Sequence, residues 1–373
     1  MKKTLLVTID FLPQSGGVAR YLANLAANLP RESLVVLAPK IKNYHDDISS
    51  CKIYRRSLFW AFWPKWLPML WHIYKIIKTE KIEIIWVAQP LPVGTAVYLV
   101  SRLLKLPYIV NSHGMDVALI LYSNTRKKLL GKRILNNANQ VTVNSNFTKN
   151  LILELGVPEN KITKIYPCPA FHQLPSQHDC QKIKQKYNLE NKKIILTVGR
   201  LVKRKGHDQV IRALPKILAT VPETAYLIVG DGQNKENLLE LTKQLDLEEN
   251  VLFTGFITDQ ELPAYYQIAD LFIMPSRNIN NYDVEGFGLV YLEANSFGKP
   301  TISGDQGGEA EAVVNGQTGF QINPTDITKI SEQVVSLLTN NDLTEKIGEQ
   351  GRRWAKNFSW EIEAKKLEKL LSE

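Results

Sequence analysis

Cysteine is scarce in this chain. Its three cysteines in 373 residues, Cys51, Cys168 and Cys180, show neither paired spacing nor the spacing of a thiolate metal site. A reduced, cytoplasmic setting is expected, with no metal centre. Long hydrophobic runs are missing too: no stretch reaches the roughly 18 uninterrupted apolar residues that a membrane span needs. The apolar run behind Met1-Lys2-Lys3-Thr4 stops at Asp10, which suits a first strand better than a signal peptide. Acidic residues are outnumbered, 37 against 46 Lys and Arg, giving a net charge of +9 that favours an anionic partner without naming one.

The acidic deficit is sharpest between positions 52 and 78, which hold six Lys or Arg and no Asp or Glu. The same stretch carries Phe59, Trp60, Phe62, Trp63, Trp66 and Trp71. Trp mixed with basic and apolar residues suits the headgroup region of an anionic membrane lying under the protein. Trp60, Trp63, Lys65 and Trp66 are the contact candidates. A helix whose aromatics join the core is the plain alternative, and single-stranded nucleic acid would accept the same mixture. The membrane surface is the reading carried forward, with no nucleic-acid partner.

What is present is a repeating alternation of short apolar runs with amphipathic segments, the pattern of βαβ units. Strands are expected at 4–9, 34–38, 82–88, 108–111 and 140–143, with helices such as 17–29 and 92–104 between them. A polar, Pro-containing stretch from Tyr166 to about Lys186 interrupts the pattern. It restarts with strands at 193–198, 225–229, 251–254, 271–274 and 300–303. The length suits two domains of ordinary size. The expected architecture is α/β: two doubly wound Rossmann-like domains facing across a cleft, with ligands at the carboxyl ends of the strands. The boundaries read as 1–170 for the first domain, 171–186 for a linker, 187–352 for the second domain and 353–373 for a closing helix.

Chemistry gathers at the expected strand ends. Asp283-Val284-Glu285-Gly286-Phe287-Gly288-Leu289 leads into an apolar helical segment bearing Glu293. Gly286 and Gly288 let the backbone approach a ligand closely, and the helix start offers unpaired N–H groups to an anion. Glu285 just before the helix and Glu293 about two turns into it would border one ligand. Carboxylates around an anion seat suit a ligand with both hydroxyls and phosphate, such as a nucleotide-sugar. A capped helix with surface glutamates is the plain alternative. Arg200 and Lys205, bracketed by Gly199 and Gly206, offer a planar fork and a compact charge to a diphosphate, where a solvated basic loop is the alternative. Ser15-Gly16-Gly17-Val18 opens the first helix, but without the spacing of a dinucleotide fingerprint or a P-loop. His113-Gly114-Met115-Asp116 follows the strand at 108–111, and Val229-Gly230-Asp231-Gly232 ends another. No spacing suggests a metal site or a hydrolase triad.

Taken together, these residues resemble the retaining glycosyltransferases of family 4, which have the GT-B fold. The resemblance runs over nearly the whole chain. It includes the N-terminal Gly16-Gly17 turn, His113-Gly114-x-Asp116, Gly199-Arg200-Leu201 with Lys205-Gly206, Glu285-x7-Glu293, Gly307-Gly308-x-x-Glu311, Gly316-x-Thr318-Gly319 and Phe358-Ser359-Trp360. Within the family the chain looks most similar to GDP-mannose-dependent phosphatidylinositol mannoside mannosyltransferases, through Thr8-Ile9-Asp10-Phe11-x-Pro13-x-x-Gly16-Gly17 and Met274-Pro275-Ser276-Arg277. It departs at Pro167-Cys168-Pro169-Ala170-Phe171, where many relatives have Pro-x-Gly-Val-Asp.

The resemblance implies a role for each matching residue. Arg200 and Lys205 would hold the donor diphosphate, with Arg204 near the diphosphate or base. Glu285 and the amides of Phe287, Gly288 and Leu289 would meet the donor sugar and phosphate. Glu293 would take the ribose hydroxyls. Gly16 and Gly17 would lie on the phosphate, His113 would line the sugar site, and Asp116 would fall on the acceptor side. The expected reaction moves a hexose, best mannose from GDP-mannose, to a hydroxyl of a lipid-linked or polysaccharide acceptor. It would proceed with retention and without metal or other cofactor, at the inner face of the cell membrane. A UDP-sugar donor is the nearest alternative. A nucleotide-sugar epimerase or hydrolase, or a non-catalytic sensor, would need no acceptor.

Overall fold

The computed structural model describes residues 1–14, 16–41, 51–170 and 174–373. Ser15 and Phe171, both quoted above, lie outside the described residues. The chain forms two compact units, one of Met1–Pro167 with Ser359–Glu373 and one of Cys168–Phe358.

The first unit is built on a seven-stranded sheet. Its strands are β1 (Thr4–Val7), β2 (Leu34–Pro39), β3 (Lys52–Arg56), β4 (Ile84–Val87), β5 (Tyr108–Ser112), β6 (Gln140–Val143) and β7 (Ile162–Lys164). The order is β3-β2-β1-β4-β5-β6-β7, and every pairing is parallel. The inner strands are almost wholly buried, and β2 and β4 are apolar throughout, as in a parallel sheet covered by helices on both faces. Trp86 of β4 is fully buried, and its indole N–H donates to Asn111 Oδ1 at 3.0 Å, which satisfies the polar edge of the largest core side chain.

The last helix, Trp360–Leu370, packs on the first, Gly17–Ala27. Trp360 meets the Tyr21 ring at 5.8 Å. Glu363, 3% exposed, accepts the Tyr166 N–H at 3.0 Å, and the Lys2 N–H donates to the Leu371 carbonyl. Apolar packing and buried hydrogen bonds together fix this terminal helix to the first unit.

The second unit has a six-stranded sheet of β8 (Lys193–Val198), β9 (Thr224–Val229), β10 (Val251–Gly255), β11 (Leu271–Met274), β12 (Thr301–Ser303) and β13 (Gly319–Gln321), in the order β10-β9-β8-β11-β12-β13. All of its pairings are parallel as well. One aliphatic core gathers Ile195, Ile228, Ile273 and Ile302 of the strands with Val210, Leu214 and Ile217 of the His207–Thr220 helix and Ile330 and Val334 of the Ile327–Thr339 helix. A second cluster is aromatic: Tyr266 stacks on Phe297 at 5.6 Å and Phe272 meets Tyr291 edge-on at 5.6 Å. Each such pair adds about 1 kcal/mol beyond the area it buries, and through Tyr291 the Leu289–Ser296 helix is part of this cluster.

The structure departs from the sequence reading in two ways. Residues 177–186, read as linker, form the helix Gln177–Lys186 in the second unit, the first boundary falls at Pro167/Cys168, and residues 353–358, read as part of the closing helix, belong to the second unit, which runs to Phe358. Ser176 caps this helix: its Oγ accepts the Asp179 N–H and donates to Asp179 Oδ2. The helix has no fully buried residue, so no apolar stripe marks it. Strands β3, β7 and β13 were not anticipated. They are short and mostly half-exposed, and they stand next to or at a sheet edge, where a continuous apolar run is not required.

Candidate functional site

In the second unit β8 and β11 are neighbours whose crossovers run in opposite directions along the sheet. Such a switch point leaves a crevice at the carboxyl ends of the strands. The chain fills it with charge. After β8, the turn Lys203–Lys205 brings in Arg204 and Lys205, 6% and 9% exposed. Gly206 makes the turn possible, with φ +75° and an added Cβ only 2.1 Å from the Pro275 carbonyl oxygen. After β11, the loop supplies Asp283 and Glu285.

The two loops meet on one carboxylate. Glu285 Oε2 lies 2.6 Å from Lys205 Nζ and 2.8 Å from Arg204 Nη1, while Arg204 Nε reaches Asp283 Oδ1 at 2.9 Å. Burial alone would raise the Glu285 carboxyl, but Lys205 and Arg204 hold it down at about 2, so it is ionised at any physiological pH. Burial pushes the Lys205 ammonium below its ordinary value, against the pull of Glu285. Buried ion pairs contribute little net stability over apolar packing. Chemically, this one fixes two cations and two carboxylates in a preorganised arrangement at the crevice.

Arg200 behaves differently. It is exposed, and its side chain makes no ion pair among the described residues, so it can reach a ligand without breaking a contact. Gly288 adopts φ +82°, and a Cβ there would sit 2.4 Å from the Tyr291 ring. This glycine is demanded by the turn and its packing, beyond any ligand. The helix begins at Leu289, which puts Glu293 about one turn in, not two as the sequence reading had it. Glu293 is 3% exposed and accepts the Tyr266 hydroxyl at 2.7 Å. The turn at Asp231 is tied to the same loops: the Leu201 N–H donates to the Asp231 carbonyl at 2.9 Å.

The first unit has its own switch point, between β1 and β4. Gln89 Nε2 donates to Asp10 Oδ2 across it at 2.6 Å. His113, after β5, places Nε2 3.0 Å from the Ala88 carbonyl. A carbonyl can only accept, so Nε2 carries the proton and donates. Tyr21 packs edge-on against the imidazole at 5.4 Å. Asp116 is half-buried, and its Oδ1 accepts the N–H groups of His113 and Val117 at 2.9 and 3.0 Å. The structure therefore gives Asp116 a turn-closing role. Gly16 and Gly17 are exposed with no atom within 4 Å of an added Cβ and no positive φ. Among the described residues, nothing requires glycine at either position.

The basic aromatic stretch divides cleanly. In the Leu67–Glu80 helix, Met69, Ile73, Ile76 and Ile77 face the core. Trp60 is 53% exposed, Trp63 89% and Trp71 59%, with Phe62 and Lys65 exposed and Trp66 half-buried. The aromatics therefore do not fill the core, contrary to the core-helix alternative. Among the described residues no helix is long and apolar enough to cross a membrane, and no cluster of three or more His, Cys, Asp or Glu is placed to hold a metal.

Within the second unit, Lys205, Arg204 and Glu285 come together, and Glu293 is held separately by Tyr266. Sequence reasoning missed the parts played by Asp283, Tyr266, Gln89 and Asp10. Only the acidic Asp283-x-Glu285 spacing carried any local signal, since the other partners are set by strand neighbours far apart in the chain.

The family model described as "Glycosyltransferase Family 4" matches residues 15–168, and the one described as "Glycosyl transferases group 1" matches residues 179–354. The chain is 33% identical to the GDP-mannose-dependent alpha-(1-6)-phosphatidylinositol monomannoside mannosyltransferase of Mycolicibacterium smegmatis, covering 99% of this chain and 98% of that one. It is 29% identical to a GDP-mannose-dependent mannosyltransferase of Corynebacterium glutamicum that acts on the monoacylated form, with the same coverage of both. Among solved structures, Anabaena HepE in complex with UDP and glucose superposes with a TM-score of 0.83 at 20% identity over 100% of both chains. Sucrose-phosphate synthase of Thermosynechococcus elongatus gives 0.82 at 22% identity over 99% of this chain and 98% of that one. With the GT-B fold and these relatives over its full length, the chain belongs to glycosyltransferase family 4 and is a hexosyltransferase.

Proposed function

We propose that the chain transfers mannose from GDP-mannose to a hydroxyl of a lipid-linked acceptor, with retention and without a metal ion. The observation that carries this reading is the buried Lys205–Glu285–Arg204 cluster at the second switch point. It belongs to a chain whose full-length relatives are GDP-mannose-dependent mannosyltransferases of phosphatidylinositol mannosides.

The hard part of the reaction is departure of a nucleoside diphosphate as negative charge grows on it. Arg200 and Lys205 supply fixed positive charge at that place, and the amides of Gly288 and Leu289 at a helix start add to it. Glu285, kept ionised, accepts hydrogen bonds from sugar hydroxyls and stabilises an oxocarbenium-like sugar. Glu293, oriented by Tyr266, takes the ribose hydroxyls. No side chain of the cluster is a free base, since its carboxylate is engaged by two cations. The acceptor proton therefore goes to the departing phosphate oxygen, with attack on the same face. His113, its Nε2 proton committed to Ala88, presents Nδ1 as an acceptor in the first unit.

The exposed Trp60, Phe62, Trp63 and Trp71 with Lys65 and Lys75 support docking on an anionic membrane surface, where a lipid-linked acceptor resides. The deciding experiment offers GDP-mannose, UDP-glucose and UDP-N-acetylglucosamine, each labelled, with a lipid extract as acceptor. Labelled lipid from GDP-mannose alone is expected. Transfer from a UDP-sugar in preference to GDP-mannose would overturn the donor assignment, and release of free sugar without labelled lipid would make the protein a hydrolase.

A further inference from the structure

Behind Glu285 lies a second carboxyl that the transfer reaction does not use. Glu309 is 1% exposed, makes no ion pair among the described residues, and its Oε2 has no hydrogen-bond partner. Its place is shaped by glycines. A Cβ at Gly307 would lie 2.5 Å from Glu309 Oε2 and 2.7 Å from the Glu285 carbonyl oxygen, and a Cβ at Gly304 would lie 3.1 Å from Glu309 Oε1. The Gly308 N–H donates to the Glu285 carbonyl at 2.8 Å. Glu309 is thus folded under the loop that carries Glu285, beside Ser276.

Two buried carboxyls in one place cannot both ionise cheaply, and they titrate as a pair. The cations decide which keeps the charge. Lys205 and Arg204 both contact Glu285, so Glu285 is the anion. Burial first, and then the charge of Glu285, raise Glu309 to about 8. The groups that face it are Glu285 on the β11 loop, Lys205 on the β8 turn and Tyr291 on the Leu289–Ser296 helix, besides the N–H groups of Gln306 and Glu309 itself. Burial keeps the Tyr291 phenol neutral throughout. Beyond Lys205, His207 is held neutral above about 3.

We propose that Glu309 is a positioning residue for the donor: its neutral carboxyl, seated behind Glu285, keeps a third negative charge away from the cluster that Lys205 and Arg204 form with Glu285 and Asp283, so that donor binding is coupled to the Glu309 proton. This rests on the donor reading given above. An ionised Glu309 adds an anion to a site about to receive two more negative charges. The bound diphosphate in turn strengthens the hold on the proton. Donor affinity is therefore full below about pH 8 and declines above it, by roughly tenfold per pH unit at most, the limit for linkage to one proton.

The test is calorimetric titration with GDP between about pH 7 and about pH 9.5, in two buffers of different ionisation enthalpy, for wild type and Glu309→Gln. The amide has nearly the shape of the neutral acid and cannot ionise. Wild type is expected to weaken several-fold toward the alkaline end with proton uptake on binding, while Glu309→Gln shows a flat affinity and no uptake. A thermal melt gives a readout without ligand. A carboxyl raised in the folded state gives stability that is full below its unfolded value and lost as pH rises through about 8. The melting temperature of wild type should therefore fall relative to Glu309→Gln across that window. An equal alkaline loss of GDP affinity in Glu309→Gln would overturn the inference and place the proton on Lys205. Failure of both GDP and UDP to bind wild type at about pH 7 would overturn the donor reading and this inference together.

Discussion

At the switch point of the second unit the strand ends carry Arg204, Lys205, Asp283 and Glu285, joined by three ionic contacts of 2.6–2.9 Å. At the corresponding place in the first unit, Gln89 donates to Asp10 and the His113 ring leans on a backbone carbonyl. Both sheets run outward from their first strand in the same order, so the topology is shared and the chemistry is not. One crevice holds two cations and two carboxylates in fixed contact. The other offers neutral donors and acceptors, two glycines without a local reason, and an aromatic basic flank. A fold supplies the location of a site, and side chains supply what happens there.

Removing charge from the second unit should have the largest effect. Lys205→Ala and Arg200→Ala are each expected to lower kcat/KM by about two to four orders of magnitude, the scale of losing one preorganised charge-stabilising group, with activity retained in EDTA. If chelation abolishes turnover and Mg²⁺ restores it, the cations are not the electrophile and the contrast between the two crevices loses its meaning.

The division of labour inside the charged crevice is sharper still. Glu285→Gln should depress kcat by roughly a hundredfold while changing nucleotide affinity little. Glu293→Gln should weaken GDP binding by roughly tenfold with kcat less affected, because a ribose contact is alike in ground and transition states. Equal effects on GDP affinity would dissolve that distinction.

In the first unit the sensitive readout is location. Trp60, Trp63 and Trp66 replaced by Ser should lose vesicle binding by about tenfold or more in flotation, since each tryptophan settles in the interface. Turnover of a short water-soluble acceptor analogue should persist. Loss of the thermal transition in the same variant would show the aromatics to be structural.

The smallest effects separate two kinds of glycine. Gly17→Ala should leave the melting temperature unchanged, having nothing within 4 Å of its Cβ, yet raise KM for the donor by several-fold. Gly206→Ala should cost stability, about 1–3 kcal/mol for a strained backbone position, because its φ is +75° and the Pro275 carbonyl blocks a Cβ. A destabilised Gly17→Ala would remove the argument that a ligand explains that glycine.

Much of this was legible in the order of residues. Apolar runs that alternate with amphipathic ones specify parallel strands and helices locally, and the strands at 140–143, 193–198 and 271–274 lie where the pattern puts them. Glu285, Lys205 and Arg200 stood out because glycines mark turns at strand ends. The capped helix Gln177–Lys186 was hidden because none of its residues is fully buried, and the edge strands β3, β7 and β13 because edges need no continuous apolar run. Arg204 gave no sign of being the cation that ties Glu285 to Asp283, nor Tyr266 of holding Glu293. Glu309 looked like one more acidic residue behind two glycines.

The sequence by itself determined the two α/β units and the ends of strands where charge collects, because secondary structure is written in neighbours two to four positions apart. Only the tertiary structure decided which charges pair, which aromatics stay outside and which carboxyl keeps its proton. Arg204 and Glu285 are 81 positions apart, and they meet because β8 and β11 lie side by side. Burial there sets the ionisation of Glu285, Lys205 and Glu309 by their partners, and no local pattern in the chain records that.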